Sequence, residues 1–147
     1  MIDASLQQFC NHAVTARRLT ADDVRTLVRD VLPDGIGNRE DADMLIALER
    51  AVPSSDPTFA AWLCAAVIDF VVWGERPTGY VEAETAAWLA ATIAGRDGPS
   101  SLGARIAMEV VREAQGSAEA LMVFALEANR WIREPAPARR PRFALAA

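Results

Sequence analysis

The chain has 147 residues, the size of one ordinary domain, and 52% of them are hydrophobic, enough for a core without a metal or a disulfide. The net charge of −5 is unevenly distributed: residues 134–147 carry +2, which leaves −7 on residues 1–133. Because an acidic body repels phosphate, we expect no nucleic-acid partner, whereas metal ions and basic partners stay open. The chain contains no lysine, which excludes lysine nucleophiles and Schiff-base chemistry.

The cysteine pattern and the apolar runs predict where the protein is found. Cys10 and Cys64 are far apart and form no CxxC motif, and the sequence opens without a signal-peptide pattern. We therefore expect a cytoplasmic protein with reduced thiols. The longest apolar run, 58–73, is too short to span a bilayer and contains Asp69, so we predict a buried central helix and no membrane insertion.

Helix signals recur along the chain, whereas strand signals do not. Thr20 with Asp23 resembles a capping box, Asn38 and Ser117 can cap helices, and Asp56 precedes a proline at a first helical position. The predicted helices lie at about 3–17, 21–32, 39–51, 57–73, 81–94, 101–115 and 118–132. The sequence predicts an all-α fold without a sheet, a compact bundle of about seven helices with short Gly/Pro-containing loops.

Residues 1–133 are predicted to form a single helical domain, and residues 134–147 a disordered tail. Three prolines in that tail, Pro135, Pro137 and Pro141, prevent further helix. No clean sequence repeat is evident. A weak structural repeat is predicted, in which a helix, a glycine-containing loop and a second helix follow one another around each of Gly35, Gly79 and Gly98.

The segment 30–41 can be written as a twelve-residue calcium loop. Its candidate oxygen ligands are the side chains of Asp30, Asp34, Asn38 and Asp41, with Gly35 at the position of the sharp turn. The third position holds Leu32, which donates no oxygen, so any binding of calcium or another divalent cation is expected to be weak.

A simpler interpretation explains the same loop without a metal. Asp34 and Gly35 form a favoured turn pair, Asn38 is a helix N-cap, and Glu40 and Asp41 complement the helix dipole in its first turn. Both interpretations remain open at this point.

The same residues resemble a known family. Asp34-Gly35, followed by the acidic pair Glu40-Asp41 at the start of an alanine- and leucine-rich helix, is similar to the tellurite-resistance B-like (TerB-like) domain. The family usually has glutamate where this chain has Asp41. The later pattern Pro77-Thr78-Gly79-Tyr80-Val81, then Trp88-Leu89 and Asp97-Gly98, is similar to a group of small bacterial helical proteins. Together the resemblance covers about residues 20–130. It implies a helical fold, divalent-metal binding and no established reaction.

Single residues elsewhere offer further candidates. His12, the one histidine, lies off the apolar face of the first helix and is expected at the surface. Asp69 is interpreted as part of a solvent-facing stripe, with a buried carboxylate as the alternative. The four tryptophans are mostly expected in the core. A partner protein is predicted to contact an exposed Tyr80 and four residues of the tail, namely Arg139, Arg140, Arg142 and Phe143.

Taken together, these residues predict a non-enzymatic helical module that binds a partner protein, with a weak divalent-metal site in the 30–41 loop. The alternative function is a metal-dependent enzyme that uses Asp34, Asp41 and Asp69.

Overall fold

The computed structural model describes residues 4–134, so the predicted tail lies outside the described residues except for Glu134. Within this part, the predicted all-α class is confirmed by seven α-helices: α1 (Ala4–Ala16), α2 (Ala21–Thr26), α3 (Arg39–Ala51), α4 (Pro57–Ile68), α5 (Ala83–Ala94), α6 (Ser101–Glu113) and α7 (Glu119–Arg133). Helices α2 and α4 each continue into a π-helical turn, Leu27–Val31 and Asp69–Gly74.

Four strands of two residues each were not predicted. They are β1 (Arg18–Leu19), β2 (Ser54–Ser55), β3 (Tyr80–Val81) and β4 (Gly116–Ser117). Strand β1 pairs in parallel with β2, and β3 pairs in parallel with β4. The expectation of no sheet is wrong to this extent, because two residues are too few to produce the alternating pattern by which strands are predicted.

The chain divides into two compact units, Met1–Phe70 and Val71–Ala147. In unit 1, α1 and α4 both pack against α3, and α2 packs against α4. In unit 2, helices α5, α6 and α7 all pack against one another. That residues 1–133 act as a single domain stays a prediction.

Helices α2 and α4 of unit 1 are capped at their starts by side chains, as predicted. Thr20 Oγ1 accepts from the Asp23 N–H at 3.1 Å, and the Asp23 carboxylate accepts from the Thr20 N–H at 2.9 Å. The Asp56 carboxylate accepts from the Thr58 N–H at 3.0 Å. Hydrogen bonds from the Thr58 hydroxyl and then from its N–H lower the pKa of Asp56. This cap is therefore present above the pKa of an unfolded aspartate and is lost as pH falls through the lower folded value.

The two units repeat one arrangement with a constant offset of 62 residues. Each contains a strand, a helix, a loop, a second helix, a second strand and a third helix; α2 and α5, α3 and α6, and α4 and α7 each begin 62 positions apart. The same backbone hydrogen bond closes each strand pair: Asp56 N–H donates to Leu19 O at 2.8 Å, and Ala118 N–H donates to Val81 O at 2.8 Å.

This repeat differs from the repeat predicted around three glycines. Gly35 and Gly98 do lie in corresponding helix-connecting loops, but Gly79 corresponds to Arg17, at the residue before each first strand. Both residues have a left-handed backbone, with φ of 86° at Gly79 and 61° at Arg17. Arg17 is the one non-glycine residue with a positive φ in the described part of the chain.

The core of each unit uses corresponding positions. Five pairs at the 62-residue offset are all buried: Leu19 and Val81, Leu27 and Leu89, Ala42 and Ala104, Leu48 and Val110, and Phe59 and Leu121. The repeat is therefore a repeat of burial and of element order rather than of residue identity.

The segment Pro57–Gly74, α4 with its π-helical turn, is long and apolar enough to cross a membrane by length and composition alone, so the expectation that this apolar run is too short for a span is wrong. A core helix of a soluble protein passes the same test. Phe59, Leu63 and Val67 are fully buried within the protein, which favours the predicted role as a core helix.

Candidate partner-binding surface

The loop proposed as a metal site is held by a helix cap. Asn38 Oδ1 accepts from the Asp41 N–H at 2.8 Å, as the capping interpretation predicts. Asp41 is buried, with 5% of its surface exposed, whereas Asp30 and Asp34 are exposed. Among the four candidate ligands, Asn38 and Asp41 are in contact, and this contact is the helix cap.

Within residues 4–134, no group of three or more histidine, cysteine, aspartate or glutamate residues could hold a metal ion. Asp69 is exposed at the end of α4, as its interpretation as part of a solvent-facing stripe requires. His12 is exposed on α1, also as predicted. The metal site in the 30–41 loop stays a prediction.

Tyr80 is exposed as predicted, with 49% of its surface in solvent. It lies on β3 directly opposite Gly116 of β4. The ring covers that glycine so closely that a Cβ at position 116 would lie 3.2 Å from Tyr80 Cδ1. Gly116 therefore gives the ring a flat support that any larger residue would disturb.

A shallow pocket of about 560 Å³ lies beside this ring. We call it the Tyr80 pocket; its lining residues are Pro77, Tyr80, Val81, Glu82, Ala83, Gly116, Ser117 and Ala118. The pocket combines an aromatic ring and a proline with one carboxylate, that of Glu82. The Ser117 Oγ is shielded from solvent and has no hydrogen-bond partner within the described chain.

The two helices that start at the pocket have no side-chain caps. Glu82 is the N-cap of α5 and Ala118 is the N-cap of α7, and neither side chain makes a capping hydrogen bond. The predicted cap of the last helix, Ser117, is therefore wrong: Ser117 lies one residue too early, in β4. The corresponding residues of unit 1 are the capping residues Thr20 and Asp56.

A second exposed aromatic residue lies next to the same strand. Trp73, expected in the core with the other tryptophans, is 42% exposed. A Cβ at Gly79 would lie 3.5 Å from its Cζ3 atom, so the indole lies against the residue before Tyr80. Trp131, in contrast, is 5% exposed, as a core residue should be.

The chain segment that contains Tyr80 is acidic. Between positions 73 and 84 the chain carries Glu75, Glu82 and Glu84 against a single Arg76, a net charge of −2. The sequence analysis identified Tyr80 but missed Pro77, Glu82 and Gly116. These residues come together through the pairing of β3 with β4. Strands of two residues are too short to be predicted from the sequence, so this pairing could not be predicted either.

Comparisons with known proteins return no relative. No family model matches the chain, no curated protein matches it, and no solved structure matches it. The resemblance to the TerB-like domain therefore remains a hypothesis based on the residues around Asp34 and Asp41.

Proposed function

We propose that this protein is a non-enzymatic helical module that binds a partner protein through the Tyr80 pocket. The observation that carries the proposal is the half-exposed Tyr80 ring, supported on Gly116 beside an open pocket. Tyrosine is enriched among the residues that dominate binding energy, because it offers a large rigid contact area with a polar end.

The chemistry of the pocket favours binding over catalysis. Its one carboxylate, Glu82, has no histidine, cysteine or second carboxylate beside it in the lining, so the pocket has no pair of groups for acid–base or nucleophilic chemistry. The alternative, a metal-dependent enzyme using Asp34, Asp41 and Asp69, lacks a supporting arrangement among the described residues.

The weak divalent-metal site in the 30–41 loop is a separate part of the proposal. If calcium binds there, Asp34→Asn should abolish the heat measured on calorimetric titration of calcium at millimolar concentration. The same titration of Asp69→Asn provides the control. A titration without heat would leave Asn38 as a helix cap alone.

We propose a cytoplasmic location for this module. Cys10 and Cys64 are both buried thiols, and burial raises the pKa of Cys10 to about 11. Two thiols without a disulfide are typical of a reducing compartment.

The test of partner binding uses the full chain immobilised as bait in an extract of the native cell. A protein held by wild type should be lost with Tyr80→Ala and retained with Arg18→Ala, the corresponding residue of unit 1. Circular dichroism would establish that both variants fold. A captured protein that Tyr80→Ala retains in full would place the binding surface elsewhere.

A further inference from the structure

We propose that the Tyr80 pocket recognises a proline- and arginine-rich extended peptide, and that in the free protein its occupant is this chain's own segment 135–147. This inference rests on the proposed function, since it names the ligand chemistry of the same pocket.

The pocket has the chemistry that such a peptide needs. Grooves that recognise polyproline II segments are lined by aromatic rings, against which the proline rings pack. Tyr80 supplies an exposed ring, Pro77 lies beside it, and the exposed Trp73 lies against the residue that precedes Tyr80. The carboxylate of Glu82, at the same pocket, is a partner for an arginine side chain.

The segment 135–147 has the matching chemistry. Prolines at 135, 137 and 141 fix φ at values that suit polyproline II, so little entropy is lost when the segment binds. Its charges are those of Arg139, Arg140 and Arg142, which complement the net −2 of residues 73–84. Phe143 adds one aromatic side chain to the segment.

The segment is also long enough to reach the pocket. Helix α7 begins at Glu119, next to the pocket residue Ala118, and ends at Arg133, so its 15 residues carry the chain about 22 Å away at 1.5 Å per residue. In an extended polyproline conformation of about 3.1 Å per residue, the seven residues from Arg133 to Arg140 cover about 22 Å in return. Arg140 can therefore come back to Glu82 with Pro141 at the Tyr80 ring, while Pro135 and Pro137 stiffen the returning chain before it reaches the pocket.

Tethering makes weak contacts sufficient. Each exposed ion pair contributes little to binding and is screened by salt. A short flexible tether, however, holds the segment at an effective concentration in the millimolar range. The segment can then occupy the pocket in the free protein, and a partner with a similar but stronger motif must displace it.

Tyr80 is the only tyrosine of the chain, so it provides a single spectroscopic probe. The full chain is labelled with 3-fluorotyrosine, and the one fluorine resonance is recorded at low and high salt. The tail variant is Arg139→Glu/Arg140→Glu. The matched control is Arg130→Glu/Arg133→Glu, which makes the same charge change at exposed positions of α7.

We expect the tail variant at low salt to show the resonance position that wild type reaches at high salt, while the control stays near wild type. A peptide of residues 134–147, added to the tail variant, should return the resonance toward its wild-type position. Superimposed resonances of wild type and tail variant, unmoved by the peptide, would overturn the inference. A resonance that depends on protein concentration would also overturn it, by assigning the pocket to the segment of a second copy.

These outcomes are distinguishable from failure of the proposed function. If the peptide has no effect but a partner is still captured through Tyr80, the pocket binds a protein of different chemistry. If the peptide returns the resonance but Tyr80→Ala captures the same proteins as wild type, the own-segment inference stands and the partner binds elsewhere.

Discussion

Units 1 and 2 share one arrangement of helices and strands, yet they differ where the strand pair meets the helix starts. In unit 1 the strand pair is formed by Arg18 opposite Ser54, and both following helices are capped by side chains. In unit 2 the pair is formed by Tyr80 opposite Gly116, and neither following helix has a side-chain cap.

The comparison distinguishes residues that stabilise the shared arrangement, in unit 1, from residues at the same positions that are available for binding, in unit 2. Capping residues stabilise helices, and unit 1 has them at both positions. Unit 2 has instead an exposed ring on a glycine and a pocket lined by the uncapped starts. Exposed aromatic residues and missing caps add no stability, so their presence at one site favours a role in binding.

The largest expected effect tests whether the two cores correspond. Leu27 and Leu89, 62 positions apart, are both fully buried. Leu27→Ala and Leu89→Ala should each lower the free energy of unfolding by about 2–5 kcal/mol, through lost burial and the cavity left behind. Chemical denaturation measures both. The exposed Val14→Ala is the control and should change it by less than about 0.5 kcal/mol. A large loss in one unit and a negligible loss in the other would break the correspondence.

The second effect compares the glycines of the corresponding loops. A Cβ at Gly98 would lie 2.7 Å from Cζ2 of Trp131, whereas a Cβ at Gly35 meets nothing within 4 Å, and both residues have a positive φ. Gly35→Ala should cost about 1–2 kcal/mol from backbone strain. Gly98→Ala should cost about 2–4 kcal/mol, because overpacking against the indole adds to the strain. Equal losses, measured by thermal unfolding, would show that Trp131 moves aside freely.

The third effect concerns the helix starts. Thr20→Ala removes the hydroxyl that accepts from the Asp23 N–H, whereas the backbone N–H of residue 20 can still donate to the Asp23 carboxylate, and it should cost about 1 kcal/mol. Glu82→Ala, the corresponding change in unit 2, should alter stability by less than about 0.5 kcal/mol, since Glu82 makes no capping bond. Urea denaturation of the two variants compares them directly. A loss at Glu82 as large as that at Thr20 would contradict the view that α5 starts without a side-chain cap.

The smallest effect tests the equivalence of Arg17 with Gly79. Both residues have a positive φ, which costs a non-glycine residue about 1–2 kcal/mol. Arg17→Gly removes this strain but loses more entropy on folding, so the net stabilisation should be about 0.5–1 kcal/mol. The midpoint of urea denaturation should rise. Arg18→Gly, in the strand, serves as the control and should not stabilise. A lower midpoint for Arg17→Gly would mean that the arginine side chain makes a contact worth more than the strain.

Much of the fold could be predicted because its signals are local. The start of α3 after Asn38, the start of α4 at Pro57 and the capping box at Thr20 each depend on residues within four positions of one another. Helix α3 runs from 39 to 51, as predicted.

The repeat could not be predicted because few residues are identical at the 62-residue offset. Between residues 17–71 and residues 79–133, only six pairs are: Ala21 and Ala83, Leu27 and Leu89, Ala42 and Ala104, Arg50 and Arg112, Ser55 and Ser117, and Ala66 and Ala128. What the units share is which positions are buried, and many side chains satisfy that requirement.

Only part of the candidate site could be predicted, because the pocket depends on contacts between residues far apart in the sequence. The exposure of Tyr80 and the charge of the tail could be predicted from the sequence, whereas the position of Tyr80 on β3 could not. The pocket depends on Tyr80 pairing with Gly116, which lies 36 positions further along the chain, and pairing over such a distance leaves no local pattern.

The most direct test of the account exchanges the strand pair of unit 2 for that of unit 1. The variant Tyr80→Arg/Gly116→Ser places at both positions the residues found at Arg18 and Ser54. The account predicts that the free energy of unfolding of this variant lies within about 1 kcal/mol of the wild-type value, because the replaced Tyr80 side chain is half exposed. It also predicts that the variant no longer captures the partner held by wild type. Capture at the wild-type level by this folded variant would contradict the assignment of the Tyr80 pocket as the binding site.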